Sequence, residues 1–215
     1  MTPTNPPSAP GTVFIVDDDA SFLRSASRLL RAAGYPVQTF ESARAFLDQL
    51  SPQVSGCVLA DLQMPGMNGL ELQEALGKTP NPLPVVFLSA QGDIPTTVRA
   101  IRHGAEDFLT KLSPKEELLD AVRRALARDA LERRQRERLQ ELRRRFSALT
   151  TREMEVLGHV VRGRLNKQIA AELGIHVRTV KLHRTGLTRR LQVQSVAELT
   201  RLVEEAGLFK DTNPE

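Results

Sequence analysis

Five short strand-like segments between residues 12 and 110 restrict the fold of this chain more than any other feature. They are residues 13–16, 37–40, 57–60, 85–88 and 107–109. The stretches between them carry apolar residues at helical spacing, for example Leu23 and Leu30. Apolar strands without alternation are buried on both faces, so the pattern predicts a parallel sheet with helices on either side. Right-handed crossovers then favour a doubly wound α/β fold.

Polar residues follow four of the five segments, at the sheet edge where doubly wound folds bind their ligands. They are Asp17, Asp18 and Asp19 after the first segment, Asp61 after the third, Ser89 after the fourth and Lys111 after the fifth. Gathered carboxylates repel one another and are tolerated mainly around a hard cation such as Mg²⁺. An acidic turn alone is more often a helix cap, and Asp19 fits that role. The coincidence of acids, a hydroxyl and an ammonium favours a metal site that receives a phosphoryl group.

Four motifs carry a family resemblance. Residues 16–19 (VDDD), 61–69 (DLQMPGMNG), 88–90 (LSA) and 104–111 (GAEDFLTK) resemble the signature set of two-component response-regulator receiver domains. The resemblance implies a flavodoxin-like domain whose five strands lie in the order 2-1-3-4-5. It also implies that Asp61 accepts a phosphoryl group from a phosphohistidine on a sensor histidine kinase.

The roles of the other site residues come from the same resemblance. It implies that the ligands of Mg²⁺ are Asp17, Asp18, Asp61 and the carbonyl of Gln63. Ser89 and Lys111 are expected to contact the phosphoryl oxygens. Phe108 is expected to be an aromatic switch that turns inward once the phosphoryl group is bound.

Leu112 follows Lys111 at a position where receiver domains usually have proline in a cis peptide. A cis bond before a residue other than proline costs about 2.5–4 kcal/mol, so we expect a trans peptide here. The direction of the Lys111 ammonium is therefore open, and with it the rate or lifetime of phosphorylation. The identity of the acceptor is unaffected.

Charge is distributed unevenly along the chain. Residues 1–120 carry 9 Lys or Arg against 14 Asp or Glu, residues 121–147 carry 10 against 4, and residues 148–215 carry 11 against 8. The net charge of +4 therefore comes from the C-terminal half. Such a basic region is expected to bind a polyanion such as nucleic acid. A solvated, arginine-rich helix face would have the same composition.

A long helix is expected from Pro114 to about Arg145, because this stretch has no internal glycine or proline and consists mainly of good helix formers. Four apolar residues step by three, four and three, as in a coiled-coil seam: Leu139, Leu142, Phe146 and Leu149. When the same spacing is continued toward the N-terminus, its next two positions are the polar residues Gln135 and Glu132. A weak dimer contact and a solvated spacer helix are both open interpretations.

After Thr150 the apolar pattern is helical throughout. Residues 154–161 form one apolar stripe and residues 169–173 a second, which Asn166 could cap and Gly174 could end. A third, basic helix is expected from about Val177. Two short helices, a glycine-containing turn and a basic segment are the outline of a helix-turn-helix.

The C-terminal motifs extend the resemblance. Residues 149–153 (LTTRE), 163–173 and 179–183 (TVKLH) resemble the LuxR-type helix-turn-helix, and the whole chain resembles the LuxR/FixJ/NarL class, nearest its FixJ and StyR branch. By position, the resemblance implies that Lys181, Leu182 and Thr185 reach base edges, whereas Thr179, His183 and Arg184 touch phosphates or sugars. Arg178 belongs to the same DNA-binding set. Dimerisation through the last helix, around residues 195–203, is also implied.

Two residues depart from what a recognition helix would be expected to contain. His176 stands where the family commonly has a small capping residue such as serine. Gly186 interrupts an otherwise helical run, at a cost of about 1 kcal/mol relative to alanine. Both are expected to loosen the helix until DNA orders it.

These observations divide the chain into five parts. They are a disordered tail (1–11), a receiver domain (12–124), a helical linker (125–146), a DNA-binding domain (147–208) and a C-terminal tail (209–215). The first eleven residues lack the features of a signal peptide and no segment approaches a bilayer span, so we expect a cytoplasmic protein with no membrane contact. A single cysteine, Cys57, excludes an intramolecular disulfide.

The sequence thus predicts a transcription factor, not an enzyme, in which phosphorylation of Asp61 controls homodimerisation and sequence-specific binding to double-stranded DNA. RNA polymerase is a further expected partner. One alternative is a Mg²⁺-dependent phosphohydrolase of the haloacid dehalogenase kind with Asp17 as nucleophile, because Asp17-Asp18-Asp19 is also an Asp-x-Asp motif after a first strand. Another is a DNA-binding regulator that is independent of phosphorylation, because Leu112 in place of proline has removed the conformational response to phosphorylation.

Overall fold

The computed structural model describes residues 11–90, 98 and 100–209. These residues form two compact units, the first ending at Arg133 and the second beginning at Arg134. The tails expected before residue 11 and after residue 209 lie outside the described residues. The helix that Val98 and Ile101 were expected to mark between the last two strands falls only partly within them.

The first unit is built on one five-stranded sheet. Its strands are β1 (Thr12–Val16), β2 (Val37–Phe40), β3 (Gly56–Asp61), β4 (Val85–Ser89) and β5 (Asp107–Thr110). All neighbouring strands are parallel and lie in the order β2-β1-β3-β4-β5. The predicted fold class and strand order are therefore confirmed, and every strand ends within one residue of its predicted bounds.

Helices cover both faces of this sheet. The described helices of the first unit are α1 (Ala20–Ala32), α2 (Ala43–Gln49), α3 (Gly69–Gly77) and the first part of α4 (Lys115–Ser147). One apolar cluster contains Phe46, Leu72 and Phe87, and the cluster on the other face contains Leu30, Leu59 and Val122. Every residue of β3 and β4 is buried, as expected of central strands covered on both faces.

Polar caps fix where the helices of the first unit begin. The Asp19 carboxylate accepts hydrogen bonds from the backbone N–H groups of Ser21 and Phe22, which have no partner within the helix. Asn68 and Glu71 form a reciprocal capping box at the start of α3. Asp19 is therefore a helix cap, which was one of its two interpretations.

Helix α4 is anchored to the amino end of β3 by a buried carboxylate. The Asp129 side chain is 2% exposed, and its Oδ2 accepts a hydrogen bond of 3.0 Å from the backbone N–H of Gly56. Gly56 has φ of +152°, and a Cβ at this position would lie 1.9 Å from the Thr12 carbonyl oxygen. Glycine is thus required where β3 begins, beside the backbone of β1.

The second unit is helical and includes the end of α4. Its other described helices are α5 (Thr151–Val161), α6 (Asn166–Leu173), α7 (Val177–Leu191) and α8 (Val196–Glu205). Gly174 ends α6 with φ of +63°, a left-handed conformation that favours glycine. This arrangement of two short helices and a tight turn agrees with the predicted helix-turn-helix.

The long helix α4 begins one residue after Pro114 and ends two residues after Arg145. Two of the four residues of the expected coiled-coil seam, Leu142 and Phe146, are 0% and 2% exposed within the core of the second unit. Leu149 packs against the same core. The spacing of these three residues is explained by the folding of their own domain, and a dimer contact through the linker helix stays a prediction.

Three expectations about helix ends and glycines have mixed outcomes. Leu165, not Asn166, is the N-cap of α6, and its backbone N–H is satisfied by Gln168 Oε1 at 2.8 Å. Within the described residues, His176 caps α7 without a side-chain hydrogen bond, in keeping with its departure from a small cap. Gly186 lies inside a continuous helix.

None of the helices in the described ranges combines the length and the apolar composition that a bilayer crossing requires.

The Asp129 anchor yields a stability prediction. We expect Asp129→Ala to lower the free energy of unfolding by about 1–3 kcal/mol, because the buried Gly56 N–H loses its acceptor. Asp120→Ala is the matched control, since Asp120 lies on the same helix and pairs only near the surface with Arg123 and Arg124. An exposed ion pair contributes about 0–1 kcal/mol. Urea unfolding measures both variants, and equal losses would contradict the anchoring role.

Candidate functional site

Three carboxylates converge at the carboxyl edge of the sheet. Asp17 follows β1 directly, Asp18 is its neighbour, and Asp61 is the last residue of β3. One oxygen from each carboxylate lies within 4.8 Å of an oxygen from each of the others. Asp17 and Asp61 are buried, whereas Asp18 is exposed, so the cluster opens to solvent on one side. The parallel order of β1 and β3 produces this convergence, because adjacent parallel strands end at the same edge.

The side chain of Lys111 enters this cluster. Its Nζ lies 2.7 Å from Asp17 Oδ2 and 3.0 Å from Asp61 Oδ2, and 5.0 Å from the centroid of the Phe22 ring. The backbone N–H of Lys111 donates a 2.9 Å hydrogen bond to the carbonyl of Ser89, which holds the loop at the end of β4. The peptide between Lys111 and Leu112 is trans, as expected. The trans loop nevertheless directs the ammonium at the acids.

Burial and charge act against each other on these groups. Burial raises the pKa of Asp17 and outweighs the hydrogen bond from Lys111. Burial lowers the pKa of Lys111, but its hydrogen bonds to Asp17 and Asp61 and their charges raise the pKa further, so that the net shift is upward. Lys111 is therefore a firmly protonated cation in an acidic pocket.

The donor set fits a divalent cation. Three carboxylates share one ammonium in the described part of the pocket, which leaves an excess of negative charge. Carboxylate oxygens within 4.8 Å of one another can surround one Mg²⁺, which coordinates at about 2.0–2.1 Å and keeps several waters. The exposed side of the cluster at Asp18 leaves room for such waters.

The remaining predicted residues of this site surround the cluster. The backbone N–H of Gln63 donates to Asp61 Oδ1 at 3.3 Å, so Gln63 lies in the turn directly after the acceptor strand. Ser89 is 2% exposed at the end of β4. Phe108 in β5 is half-buried against the core, with its ring centroid 6.5 Å from that of Phe87. The structure thus brings the acids, the hydroxyl-bearing strand end and Lys111 to one edge.

A second candidate site lies on helix α7. Arg178, Lys181, Leu182 and Thr185 are exposed, and their spacing of three, one and three places them on one face of the helix. Leu182 is 67% exposed. This outward face is cationic and polar around one apolar side chain.

The other predicted DNA-binding residues lie beside that face. Thr179, His183 and Arg184 are half-buried. Arg184 Nη1 donates a 2.7 Å hydrogen bond to Asn166 Oδ1 at the start of α6. The second helix of the motif thereby braces the third.

Sequence reasoning missed one buried ionic cluster in the second unit. Glu153 is 5% exposed, and its carboxylate pairs with Arg190 of α7. The signal that could have found Glu153 is the Thr150-x-x-Glu153 capping box, which the structure contains. Nothing in the spacing of residues 153 and 190 indicates their contact, because they are brought together by helix packing.

Two family models match the chain. The response regulator receiver domain matches residues 13–123, and the luxR family of bacterial regulatory proteins matches residues 147–203. The first range covers the sheet and its acidic cluster, and the second covers α5, α6, α7 and most of α8.

Similar proteins align with this chain over most of their length. The chain is 42% identical over 192 residues to the response regulator protein TodT of Pseudomonas putida, covering 89% of this chain and 85% of that protein. It is 34% identical over 201 residues to the transcriptional regulatory protein FixJ of Bradyrhizobium diazoefficiens, covering 94% and 98%.

Solved structures agree with these sequence matches. The structure of the response regulator StyR aligns with a TM-score of 0.84 at 47% identity, covering 92% of this chain and 100% of that chain. Full-length FixJ from B. japonicum aligns with a TM-score of 0.56 at 33% identity, covering 93% and 98%. The chain therefore belongs to the response regulators that join a receiver domain to a LuxR-type DNA-binding domain, and it is a two-component transcription regulator.

Proposed function

We propose that Asp61 accepts a phosphoryl group from a sensor histidine kinase and that this transfer controls dimerisation and DNA binding. The observation that carries the proposal is the contact of Lys111 Nζ with both Asp17 and Asp61. A fixed cation beside the last carboxylate of β3 is what an incoming phosphoryl group needs, because that group is itself negatively charged. The proposed boundaries from the sequence are 12–124 for the receiver, 125–146 for the linker and 147–208 for DNA binding, and the end of the linker range, at Leu142 and Phe146, packs in the core of the second unit.

In the proposed transfer, an oxygen of Asp61 forms the new bond to phosphorus while the bond to the histidine nitrogen of the donor breaks. Lys111 stays protonated, balances charge on the acceptor and pairs with a phosphoryl oxygen afterwards. The hydroxyl of Ser89, at the neighbouring strand end, donates a hydrogen bond to another phosphoryl oxygen. Mg²⁺ held by Asp17, Asp18, Asp61 and the Gln63 carbonyl would supply Lewis-acid stabilisation of the charge that develops on the phosphoryl oxygens.

The phosphoryl group is then proposed to change the surface of the receiver. It adds up to two negative charges beside acids that already repel it, so a movement of Ser89 toward it is favourable. Phe108 is half-buried next to Phe87, and in this proposal it turns inward when the end of β4 moves. To convert a population that is 1% active into one that is 99% active, the phosphoryl group must favour the active state by about 5.5 kcal/mol.

For the DNA-binding domain, we propose that the outward face of α7 enters the major groove. Lys181, Leu182 and Thr185 are its exposed centre and are assigned to base edges. Arg178, Thr179, His183 and Arg184 are assigned to the backbone of double-stranded DNA. Residues 195–203, the N-cap and most of α8, are assigned to the homodimer contact of the phosphorylated protein. RNA polymerase is the expected partner at the promoter.

A phosphohydrolase that uses Asp17 is less well supported. Asp17 is fully buried, its Oδ2 lies 2.7 Å from Lys111 Nζ, and its Oδ1 accepts a 2.9 Å hydrogen bond from the Asp19 N–H. Both oxygens of Asp61 are engaged as well, by Lys111 and by the Gln63 N–H, so these contacts do not distinguish the two carboxylates. The receiver-domain match over residues 13–123 is what favours Asp61. A hydrolase would also leave the LuxR-type domain without a role.

Magnesium binding is predicted to stabilise the receiver. At about 100 times its Kd, Mg²⁺ should raise the free energy of unfolding by about 2.7 kcal/mol, because only the folded chain assembles the three carboxylates. Asp18→Asn should abolish the increase. Asp19→Asn is the matched control, since this neighbouring acid caps α1 and should leave the increase intact. Thermal unfolding with and without Mg²⁺ or EDTA measures the effect, and equal increases in both variants would rule out the assigned ligands.

The phospho-acceptor can be mapped chemically. With phosphoramidate and Mg²⁺, we expect the chain to gain one phosphoryl group, and Asp61→Asn to reduce labelling to background. Borohydride reduction followed by peptide mapping should place the reduced residue at position 61. A reduced residue at position 17 would instead establish the hydrolase mechanism. Labelling at 61 with unchanged operator affinity would support the regulator that does not respond to phosphorylation.

Two substitutions should separate base reading from backbone contacts. Lys181→Ala should lose about 1–3 kcal/mol on the preferred duplex and relax the preference at one position of each half-site. Arg184→Ala should weaken binding to all sequences alike and reduce the salt slope by about 1. Arg24→Ala, in the receiver, controls for loss of an exposed cation. Binding-site selection followed by salt titrations gives both quantities, and parental behaviour of both variants would show that the face is misassigned.

A further inference from the structure

The carboxylate of Glu153 connects the start of α5 to the recognition helix α7. Its Oε2 accepts hydrogen bonds of 2.9 Å from both the backbone N–H and the hydroxyl of Thr150, and it pairs with Arg190 Nη1. Glu153 is 5% exposed, so this is a buried charge. Burial raises the pKa of Glu153, but Thr150 and the charges of Arg190 and His183 lower it further, so that the net shift is downward.

The other oxygen of the same carboxylate faces Gly186. A Cβ at residue 186 would lie 2.7 Å from Glu153 Oε1, which is closer than two such atoms approach in folded proteins. This contact explains why a glycine stands inside a helix of fifteen residues, at a cost of about 1 kcal/mol relative to alanine. The glycine forms a notch in α7 that the carboxylate fills.

Residues that contact or face Glu153 lie on a flank of α7, between its buried side and the exposed face that carries the base-reading residues. His183, Gly186 and Arg190 are separated by three and four residues, so they share one face of the helix. Lys181, Leu182 and Thr185 point outward to solvent. Glu153 therefore supports the recognition helix from one side.

We infer that Glu153 is a positioning residue for base reading, and that the notch at Gly186 sets how closely α7 lies on α5. A hydrogen bond from a side chain to a base edge needs a donor–acceptor distance of about 2.7–3.2 Å. A shift of α7 by a few tenths of an ångström moves all the base-reading side chains together. Contacts to phosphates tolerate such a shift, because long cationic side chains adjust and charge acts over a longer range. The inference rests on the proposed DNA-reading role of α7.

The contact between Glu153 and the notch at Gly186 is expected to control the specificity of DNA binding rather than its affinity. Gly186→Ala adds a methyl group that must push Glu153 or α7 aside. We expect the ratio of affinities for the selected duplex and for a random duplex to fall about tenfold, the discrimination that one base pair provides. Affinity for the random duplex should change less than twofold, an expectation that follows from its dependence on phosphate contacts.

The matched control is Gly158→Ala. Gly158 is also inside a helix of the same unit, but a Cβ there would meet the ring of Phe209 at 3.6 Å, an ordinary van der Waals distance. This variant should keep the parental specificity ratio. The probes are a duplex selected from a random library by the phosphorylated full-length parent and a scrambled duplex of the same length.

A double-mutant cycle with Glu153→Asp completes the test. The shorter side chain withdraws the carboxylate from residue 186, so Glu153→Asp alone should reduce the ratio, while Gly186→Ala with Glu153→Asp should recover part of it. Non-additivity of this sign supports the inference. Additive losses, or a Gly186→Ala ratio equal to that of Gly158→Ala, overturn it.

Two further outcomes keep the inference separate from the proposed function. Should Gly186→Ala fail to fold, as judged by circular dichroism, Glu153→Asp decides alone, and a parental ratio in that variant overturns the inference. Should the parent select no duplex from the library, the DNA-reading role of α7 fails, and the inference falls with it. A parent that selects a duplex while all variants keep its specificity overturns the inference alone.

Discussion

The receiver depends on one charge balance. Two buried carboxylates, Asp17 and Asp61, end neighbouring strands, and only the ammonium of Lys111 is placed between them among the described side chains. Removal of that ammonium would leave two buried negative charges close together, which is strongly unfavourable in a medium of low dielectric constant. The β4–β5 pairing that positions Lys111 is therefore as important to the site as the acids are. Any group that enters the pocket therefore needs positive charge nearby, either its own or one that the pocket supplies.

Much of the fold could be predicted because the strongest signals are local. The apolar strands, the polar residues that end them and the glycine turn of the C-terminal unit are all visible in short windows of sequence. The acidic site could be predicted for the same reason, since parallel strands bring their carboxyl ends to one edge. Asp19 could not be assigned from the sequence alone, because a capping aspartate and a metal-binding aspartate look alike until the helix start is seen.

The features that could not be predicted depend on contacts between distant residues. Leu142 and Phe146 have the spacing of an intermolecular seam, yet they fill the core of their own unit. Gly186 looked like a weakness of the recognition helix, because helix propensity counts only its local cost. Glu153, thirty-three positions earlier, occupies the space that a side chain at residue 186 would need, so this glycine also has a packing reason. Asp129 is similar, since its partner is the first residue of a strand seventy-three positions away.

The long helix α4 has a consequence for modularity. It supplies Ala121, Val122 and Ala125 to a core of the first unit, and Leu142 and Phe146 to the core of the second. The luxR family model begins only at residue 147, after both of the latter. Recombination that exchanged effector domains at that boundary would produce a domain that lacks two of its own core side chains. A transferable domain of this kind must therefore include the end of α4.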